Sequence, residues 1–208
     1  DGGSPLEIHM RSLAAKLEAS FDGEIPVRHA MSYGTPSMAN ALEELQREGC
    51  EQLVVIPLYP QSAHSTTMVV KDKLEPTLHE LGWSPDVSFV ERYCDREDYA
   101  KAIADSIIRS GFDENDRLLF AFHSIPMRDI EQGDTYADQV HSSAQAIAEL
   151  AGLAPEQWVV GFQCRFDKSR AWLGPTTSEA LRTLDLSKGR LFVIAPNFSV
   201  DCLETLYD

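Results

Sequence analysis

The chain has 208 residues, of which 43% are hydrophobic, and its formal net charge at pH 7 is −15. This length allows one large domain or two small ones, each with a buried core. The negative charge argues against nucleic acid as a partner, because phosphate contacts need clustered Lys and Arg side chains. An acidic surface generally serves solubility, and it can also attract a cationic partner such as a metal ion.

No apolar run approaches the roughly 18 residues of a membrane span, so we predict a soluble protein that is at most peripheral at a membrane. A basic-plus-apolar N-terminal signal is absent as well. The four cysteines are scattered and include no CxxC pair, which favours a reduced compartment and predicts a cytoplasmic protein. Because the first ten residues, DGGSPLEIHM, suggest a loop that leads into a helix, we expect the chain to be part of a longer protein.

Apolar runs of strand length recur along the chain, and several are continuous, as expected for strands that are buried on both faces. They are VRHAM near 27–31, QLVVIPL near 52–58, DVSFV near 86–90, RLLFAF near 117–122, QWVVGF near 157–162 and RLFVIA near 190–195.

Helical patterns lie between these runs. They are PSMANALEELQREG, TTMVVKDKLEPTLHELG, YAKAIADSIIRSG, DTYADQVHSSAQAIAELAG and PTTSEALRTLDLSKG. Pro76 is expected to kink or restart the second of them. The alternation of strands and helices predicts an α/β fold with a mainly parallel sheet and helices on both faces. The polar stretch GFDEND at 111–116 predicts a division into residues 1–112 and 113–208.

Ligands of such folds bind beyond the carboxyl ends of the strands. Four segments that follow predicted strands are dense in His, Tyr, Trp, Gln, Arg and carboxylate side chains, and the predicted topology brings them to one edge. They are PLYPQSAHSTT, HSIPMRDIEQGD, QCRFDKSRAWLGPTT and PNFSVDCLETLYD. The chain contains no GxGxxG and no P-loop, so a nucleotide cradle is not expected, and the absence of GxSxG weakens a hydrolase interpretation.

His123 directly follows the fourth predicted strand, and Pro126 prevents simple continuation of that strand. Two interpretations are open. The imidazole could satisfy backbone groups at the strand end, or it could act as a base or metal ligand, since a neutral imidazole can do both near pH 7.

Glu204 also has two interpretations. If Asp201 is the N-cap of a last helix, Glu204 stands three residues later and matches a capping pattern. Alternatively, Glu204 and Asp208 are one helical turn apart and form an acidic ridge that passes cations or protons. Trp172 is similarly open, because it could anchor a core or form an aromatic wall for a flat ligand. For His64, whose neighbouring hydroxyls could cap a helix that begins just beyond it, we favour a structural role.

Taken together, these segments resemble the ferrochelatase family, in family order and spacing and over essentially the whole chain. The matching stretches are MSYGTPS at 31–37, PLYPQSAHSTT at 57–67, FAFHSIPM at 120–127, EQGDTY at 131–136, FQCRF at 162–166, WLGPTT at 172–177 and PNFSVDCLETLYD at 196–208. The resemblance is greatest to the bacterial branch that uses protoporphyrin.

The resemblance implies a chelatase-like fold of two similar parallel-sheet α/β halves, with a cleft between them that holds a porphyrin. It implies insertion of ferrous iron into that porphyrin, the last step of haem synthesis. The family's invariant histidine falls on His123 and its active-site glutamate on Glu204, and both are predicted to be catalytic and to bind the metal. The resemblance further implies that Tyr33 and Trp172 contact the porphyrin. It assigns supporting carboxylates to two positions, Asp201 and Asp208.

This sequence also departs from the family pattern. About 100 residues of the usual family N-terminus are missing, and the last helix barely starts, so we expect the chain to be truncated at both ends. Some members carry an iron–sulfur cluster on cysteines near the C-terminus. No such cysteines are present here, and His64 stands where one ligand would lie. We therefore predict no cluster and no tightly bound cofactor, with Fe²⁺ as a substrate.

Two alternatives to iron insertion into protoporphyrin remain open from the sequence. One is a chelatase for another metal or tetrapyrrole, such as cobalt or coproporphyrin. The other is a binding module that carries a tetrapyrrole without chemistry. For iron insertion, His123 is the hypothesised proton acceptor and Glu204 the partner that handles metal or relayed protons, and the two roles could be exchanged.

Overall fold

The structure, a computed structural model, describes residues 4–165 and 169–207. The helices are α1 (Pro5–Ser20), α2 (Met38–Arg47), α3 (Thr67–Glu80), α4 (Glu97–Arg109), α5 (Met127–Glu131), α6 (Tyr136–Leu150), α7 (Thr177–Leu181) and α8 (Leu203–Leu206), with a 3₁₀ turn at Pro155–Gln157. The strands are β1 (Gln52–Val55), β2 (Asp86–Phe89), β3 (Arg117–His123), β4 (Trp158–Gln163) and β5 (Leu191–Ile194). Within the described ranges no helix is both long and apolar enough to cross a bilayer.

The chain forms two compact units that interleave along the sequence. The first comprises the residues up to Pro57, Thr66–Glu91 and Val200–Tyr207, and the second comprises Leu58–Ser65 and Arg92–Ser199. Each unit contains a parallel sheet with helices, so the α/β class is confirmed. The division at residue 112, which the polar stretch at 111–116 predicts, stays a prediction.

In the first unit, β1 and β2 pair in parallel, with Gln52 opposite Asp86 and Val55 opposite Phe89. One face of this pair is apolar and packs with residues of α2 and α3. The buried members of that cluster are Leu42, Leu53 and Leu74. Helix α2 begins where the sequence predicts, because the Ser37 hydroxyl accepts a hydrogen bond from the backbone N–H of Asn40 at 3.2 Å.

One expectation for this unit was wrong, and of the expected kink or restart at Pro76 only the restart is contradicted. Residues 27–31 form no strand, and Met31 makes only an isolated bridge to Ser37. Arg28 in that segment forms ion pairs with glutamates of α1 and α2, at 2.9 Å from Glu18 and 3.1 Å from Glu44. The segment is therefore held by side-chain contacts and not by the backbone hydrogen bonds of a sheet. Helix α3 runs unbroken through Pro76 and does not restart there.

In the second unit, β3 is the central strand of a three-stranded parallel sheet with the order β4-β3-β5. Phe120 and Phe122 of β3 are fully buried in a cluster with residues of α4 and α6. Leu119 and Ala121 point to the opposite face, where they pack with Ala180 of α7. Helices therefore cover both faces of the central strand, which explains its continuous apolar run.

The last predicted helical pattern, at 175–189, is helical only from Thr177 to Leu181. Thr176 caps its start by accepting the N–H of Glu179 at 3.2 Å. Further along, the Asp185 carboxylate accepts the backbone N–H of Ser187 at 3.0 Å. That local bond competes with helical hydrogen bonding, so turns replace the helix beyond Leu181.

A buried carboxylate ties β5 to the start of β3. Asp116 is 1% exposed and accepts the backbone N–H of Arg190 at 2.7 Å, the Arg190 guanidinium at 2.7 Å and the N–H of Asp113 at 3.0 Å. These hydrogen bonds lower the pKa of Asp116 to about 2, and the bond from the Arg190 side chain makes the largest contribution.

A pH dependence of stability follows from this lowered pKa. Since the pKa is near 3.9 in the unfolded chain, Asp116 stabilises the fold at pH values above about 4. This contribution is lost as the pH falls through about 2. In Asp116→Asn we expect the urea midpoint to fall less steeply between pH 5 and pH 3 than in the unsubstituted protein. Asp105→Asn, which removes only a surface pair with Lys101, should keep the original slope. Equal slopes for Asp116→Asn and the unsubstituted protein would contradict the assignment.

Candidate active site

His123 is the last residue of β3 and lies opposite Gln163 of β4. The next residue, Ser124, donates its N–H to the Gln163 carbonyl at 2.8 Å and its hydroxyl to the Leu173 carbonyl at 2.8 Å. These bonds hold the backbone at the carboxyl end of the central strand, where α/β proteins place their ligand sites. The His123 side chain itself is half-buried.

The orientation of the imidazole is set by its own chain. Nδ1 of His123 lies 2.7 Å from the carbonyl oxygen of Ser124. A carbonyl only accepts, so Nδ1 is the donor, and in the neutral ring Nε2 carries the lone pair. The Phe198 ring lies beside the imidazole, with 6.2 Å between the ring centroids. When the ring is neutral, the basic atom of His123 is therefore Nε2.

A buried tyrosine forms a hydrogen bond with the backbone of His123. The Tyr136 hydroxyl donates to the His123 carbonyl at 2.8 Å and accepts a hydrogen bond from Nδ2 of Asn197 at 3.2 Å. Burial raises the pKa of Tyr136 far above its usual range, so the hydroxyl stays a donor. Sequence reasoning missed both residues. The available signal was the EQGDTY motif, because a buried tyrosine usually finds a partner for its hydroxyl.

Trp172 lies at the same end of the second unit as His123. It forms an isolated antiparallel bridge with Pro126. Two backbone hydrogen bonds flank this bridge. The Leu173 N–H donates to the Ile125 carbonyl at 2.9 Å, and the Met127 N–H donates to the Ala171 carbonyl at 3.0 Å. The indole is half-buried, and the Arg170 guanidinium lies 5.8 Å from its ring centroid. The structure thus places Trp172 next to the backbone segment that follows His123 in sequence.

The loop Leu58–Ser65, which contains His64, is fastened to α6 by polar pairs. Asp134, just before α6, accepts the backbone N–H of His64 at 2.7 Å and that of Tyr136 at 2.9 Å. Gln139 accepts the N–H of Ser62 at 2.8 Å and donates to its carbonyl at 3.1 Å. The backbone of His64 is therefore part of the scaffold, as a structural interpretation expects. Helix α3 begins at Thr67 as predicted, but the side chain of its N-cap residue makes no capping bond.

Glu204 and Asp201 belong to the first unit, where they lie at the start of α8. The interpretation in which Asp201 is the N-cap is wrong, because the N-cap of α8 is Cys202. The Thr205 hydroxyl accepts the Cys202 N–H at 3.0 Å and donates to the Asp201 carboxylate at 3.0 Å, so Thr205 takes the N3 capping-box position that the sequence pattern assigned to Glu204. Asp208 lies outside the described residues.

The side chain of Glu204 is half-buried in the first turn of α8. The nearby Cys202 is buried, and its thiol has a pKa raised to about 11. Burial is the main cause of this rise, and a hydrogen bond with Glu204 is the second. Cys202 is therefore a neutral thiol near pH 7, while Glu204 supplies the acidic group of this turn. Glu204 stands at the second position of the helix, which removes the interpretation that it completes a capping box with Asp201.

Tyr33 lies in the loop before α2, also in the first unit. Its side chain is 80% exposed, and Nζ of Lys73 lies 4.3 Å from the ring centroid. His123 and Trp172 are thus placed in the second unit, whereas Tyr33, Asp201 and Glu204 are placed in the first. Among residues 4–165 and 169–207, no group of three or more His, Cys, Asp or Glu side chains is arranged to hold a metal ion. The paired metal ligands His123 and Glu204 stay a prediction.

Comparison with solved structures supports the fold. SirB from Bacillus subtilis, in a structure with Fe³⁺, matches with a TM-score of 0.62 over 92% of this chain and 72% of the SirB chain. The two sequences are 18% identical, so the likeness concerns the fold alone. It confirms the predicted chelatase-like α/β class.

Sequence comparison identifies the family. The ferrochelatase of Azoarcus sp. (strain BH72) is 41% identical over 213 residues, which cover 99% of this chain and 58% of that protein. The ferrochelatase of Escherichia coli (strain K12) is 39% identical over 210 residues, covering 99% of this chain and 65% of that protein. The chain thus spans about 60% of the length of these curated relatives. Because the protein-family model named Ferrochelatase matches residues 1–208, this chain belongs to the ferrochelatase family.

Proposed function

We propose that the complete protein inserts Fe²⁺ into protoporphyrin IX to form haem, a lyase reaction that ends haem biosynthesis. Family membership supports the reaction class. The observation that carries the proposal is the imidazole of His123 at the carboxyl end of a buried central strand, with Nδ1 bonded to Ser124 and the lone pair on Nε2.

The reaction requires a base. Two pyrrole N–H bonds break, four Fe–N bonds form and two protons leave, with no transfer of electrons. A neutral imidazole suits the proton step near pH 7, so we assign it to Nε2 of His123. We assign Glu204 to the metal or to onward passage of the protons, since Fe²⁺ accepts mixed nitrogen and oxygen ligands. The reverse assignment, with His123 on the metal, uses the same pair.

The porphyrin also has to be held and bent. Distortion of the ring tilts pyrrole lone pairs towards the metal, and bound-state strain of this kind is typically about 1–5 kcal/mol, supplied by contacts remote from the reacting atoms. We assign such contacts to Trp172 and Tyr33, whose side chains are half-buried and largely exposed respectively. Asp201 and Asp208 are proposed to support Glu204 as further carboxylates.

We also propose a cytoplasmic location, with porphyrin and ferrous iron as the only substrates and no tightly bound cofactor or iron–sulfur cluster. The cysteines support the location, because Cys50, Cys94 and Cys202 are free thiols, as in reduced compartments.

An anaerobic metallation assay of the complete protein tests this function. Protoporphyrin IX and coproporphyrin are each offered with Fe²⁺, Co²⁺ or Zn²⁺, and formation of the metalloporphyrin is followed by absorbance. We expect the highest kcat/KM for Fe²⁺ with protoporphyrin IX. Faster metallation of coproporphyrin, or a preference for Co²⁺, would assign a different chelatase. Tight haem binding without any metallation would identify a non-catalytic carrier.

A further inference from the structure

A lysine in the first unit lies against an exposed aromatic ring. Lys73, in the middle of α3, places Nζ 4.3 Å from the ring centroid of Tyr33 and donates to the carbonyl of Ser32 at 3.0 Å. The lysine side chain is half-buried, whereas Tyr33 is 80% exposed. The Lys73 ammonium group is therefore held next to the Tyr33 ring, most of which is exposed to solvent.

The contacts of Lys73 are all to uncharged groups. In the part of the chain that the structure describes, no carboxylate lies within 4 Å of its Nζ, whereas Lys71 on the same helix pairs with Glu91 at 3.5 Å. Acidic residues outnumber basic ones by 33 to 18, so a basic side chain readily meets a carboxylate in this protein. A carbonyl oxygen and a ring face therefore orient the Lys73 ammonium, and none of the described carboxylates forms an ion pair with it.

This combination matches one class of ligand. A flat aromatic molecule can lie against the open surface of Tyr33, and a carboxylate on that molecule can accept a hydrogen bond from the ammonium of Lys73. The remaining N–H groups of Nζ are available for this, because the bond to Ser32 uses one of three donors.

We propose that Lys73 and Tyr33 together form a carboxylate-recognition site for an aromatic acid, and that it selects a propionate of the porphyrin. The identity of the acid rests on the proposed function, whereas the site itself rests on the contacts of Lys73. Lys73 is a binding residue in this proposal and takes no part in proton or metal transfer.

Porphyrin binding, measured without metal, tests the site separately from catalysis. Protoporphyrin IX and its dimethyl ester are titrated into the complete protein, and binding is followed by porphyrin fluorescence. Lys73→Gln is expected to weaken binding of the diacid about tenfold and to leave binding of the ester unchanged, as for loss of a charge-assisted hydrogen bond. Lys73→Arg should retain the preference for the diacid.

Lys71→Gln is the matched control, because it removes a neighbouring charge of the same helix that already has Glu91 as its partner. It should change neither affinity. If Lys73→Gln weakens binding of diacid and ester equally, the lysine only holds the Tyr33 loop and the proposal is wrong. It is also wrong if the unsubstituted protein shows no preference for the diacid. Diacid selectivity without any metallation would keep the site and overturn only the proposed reaction.

Discussion

In the complete protein, His123→Ala is expected to lower the rate of Fe²⁺ insertion by about 10²–10⁴-fold at saturating porphyrin, the usual effect of losing a general base. The substitution removes Nε2, the basic nitrogen of an imidazole whose other nitrogen is bonded to the Ser124 carbonyl. The rate is measured anaerobically by the absorbance of the product. Porphyrin affinity should stay within a few-fold, because the loss falls on the reacting step.

His79→Ala is the control for this experiment, since His79 is an exposed histidine of α3. We expect it to retain the full rate. A His123→Ala protein that kept a near-normal rate would remove His123 from both of its proposed roles. A protein that lost porphyrin binding in parallel with the rate would indicate a role in holding the substrate.

Phe122→Ala is expected to lower the free energy of unfolding by about 3–5 kcal/mol, the usual cost of deleting a buried aromatic ring. Phe122 is 0% exposed in the central strand, and its ring centroid lies 6.5 Å from that of Phe162 in β4. Loss of the ring leaves a cavity in the cluster that the sheet forms with α4 and α6. Urea unfolding followed by circular dichroism gives the change in free energy.

Ile108→Ala is the control for packing, because Ile108 is an apolar residue of the same unit that is 54% exposed on α4. Its effect should stay within about 0.5 kcal/mol, as for most surface substitutions. A loss below about 1 kcal/mol for Phe122→Ala would mean that the core around β3 closes over the missing ring.

Some of this architecture could be predicted from the sequence because it depends on local rules. The continuous apolar run of β3 predicts a strand buried on both faces, and Pro126 predicts where that strand stops. Both features place His123 at a strand end. The same rules failed for 27–31, because an apolar run becomes a strand only when a neighbouring strand supplies its ladder. They also failed for α8, whose N-cap is Cys202 and whose Thr205 hydroxyl accepts the Cys202 N–H.

The environment of His123 could not be predicted in this way. Tyr136 is 13 residues away in sequence and Asn197 is 61 residues beyond Tyr136, so no periodicity or cap rule connects them. The bond between Nδ1 and the Ser124 carbonyl depends on a side-chain rotamer, which sequence patterns do not specify. The roles of His123 and Glu204 came from resemblance to a family, since composition and spacing left each of them with a structural alternative.

Because the two units interleave along the sequence, their folding during synthesis depends on segments that leave the ribosome at different times. The loop Leu58–Ser65 emerges early, yet its partners just before and on α6 follow 70 to 82 residues later, at Asp134, Gln139 and Ser143. The first unit likewise includes Val200–Tyr207, from the end of the described chain. The second unit therefore cannot complete the contacts of its loop until α6 has been synthesised. Such long sequence separations slow folding and prolong exposure to chaperones and proteases.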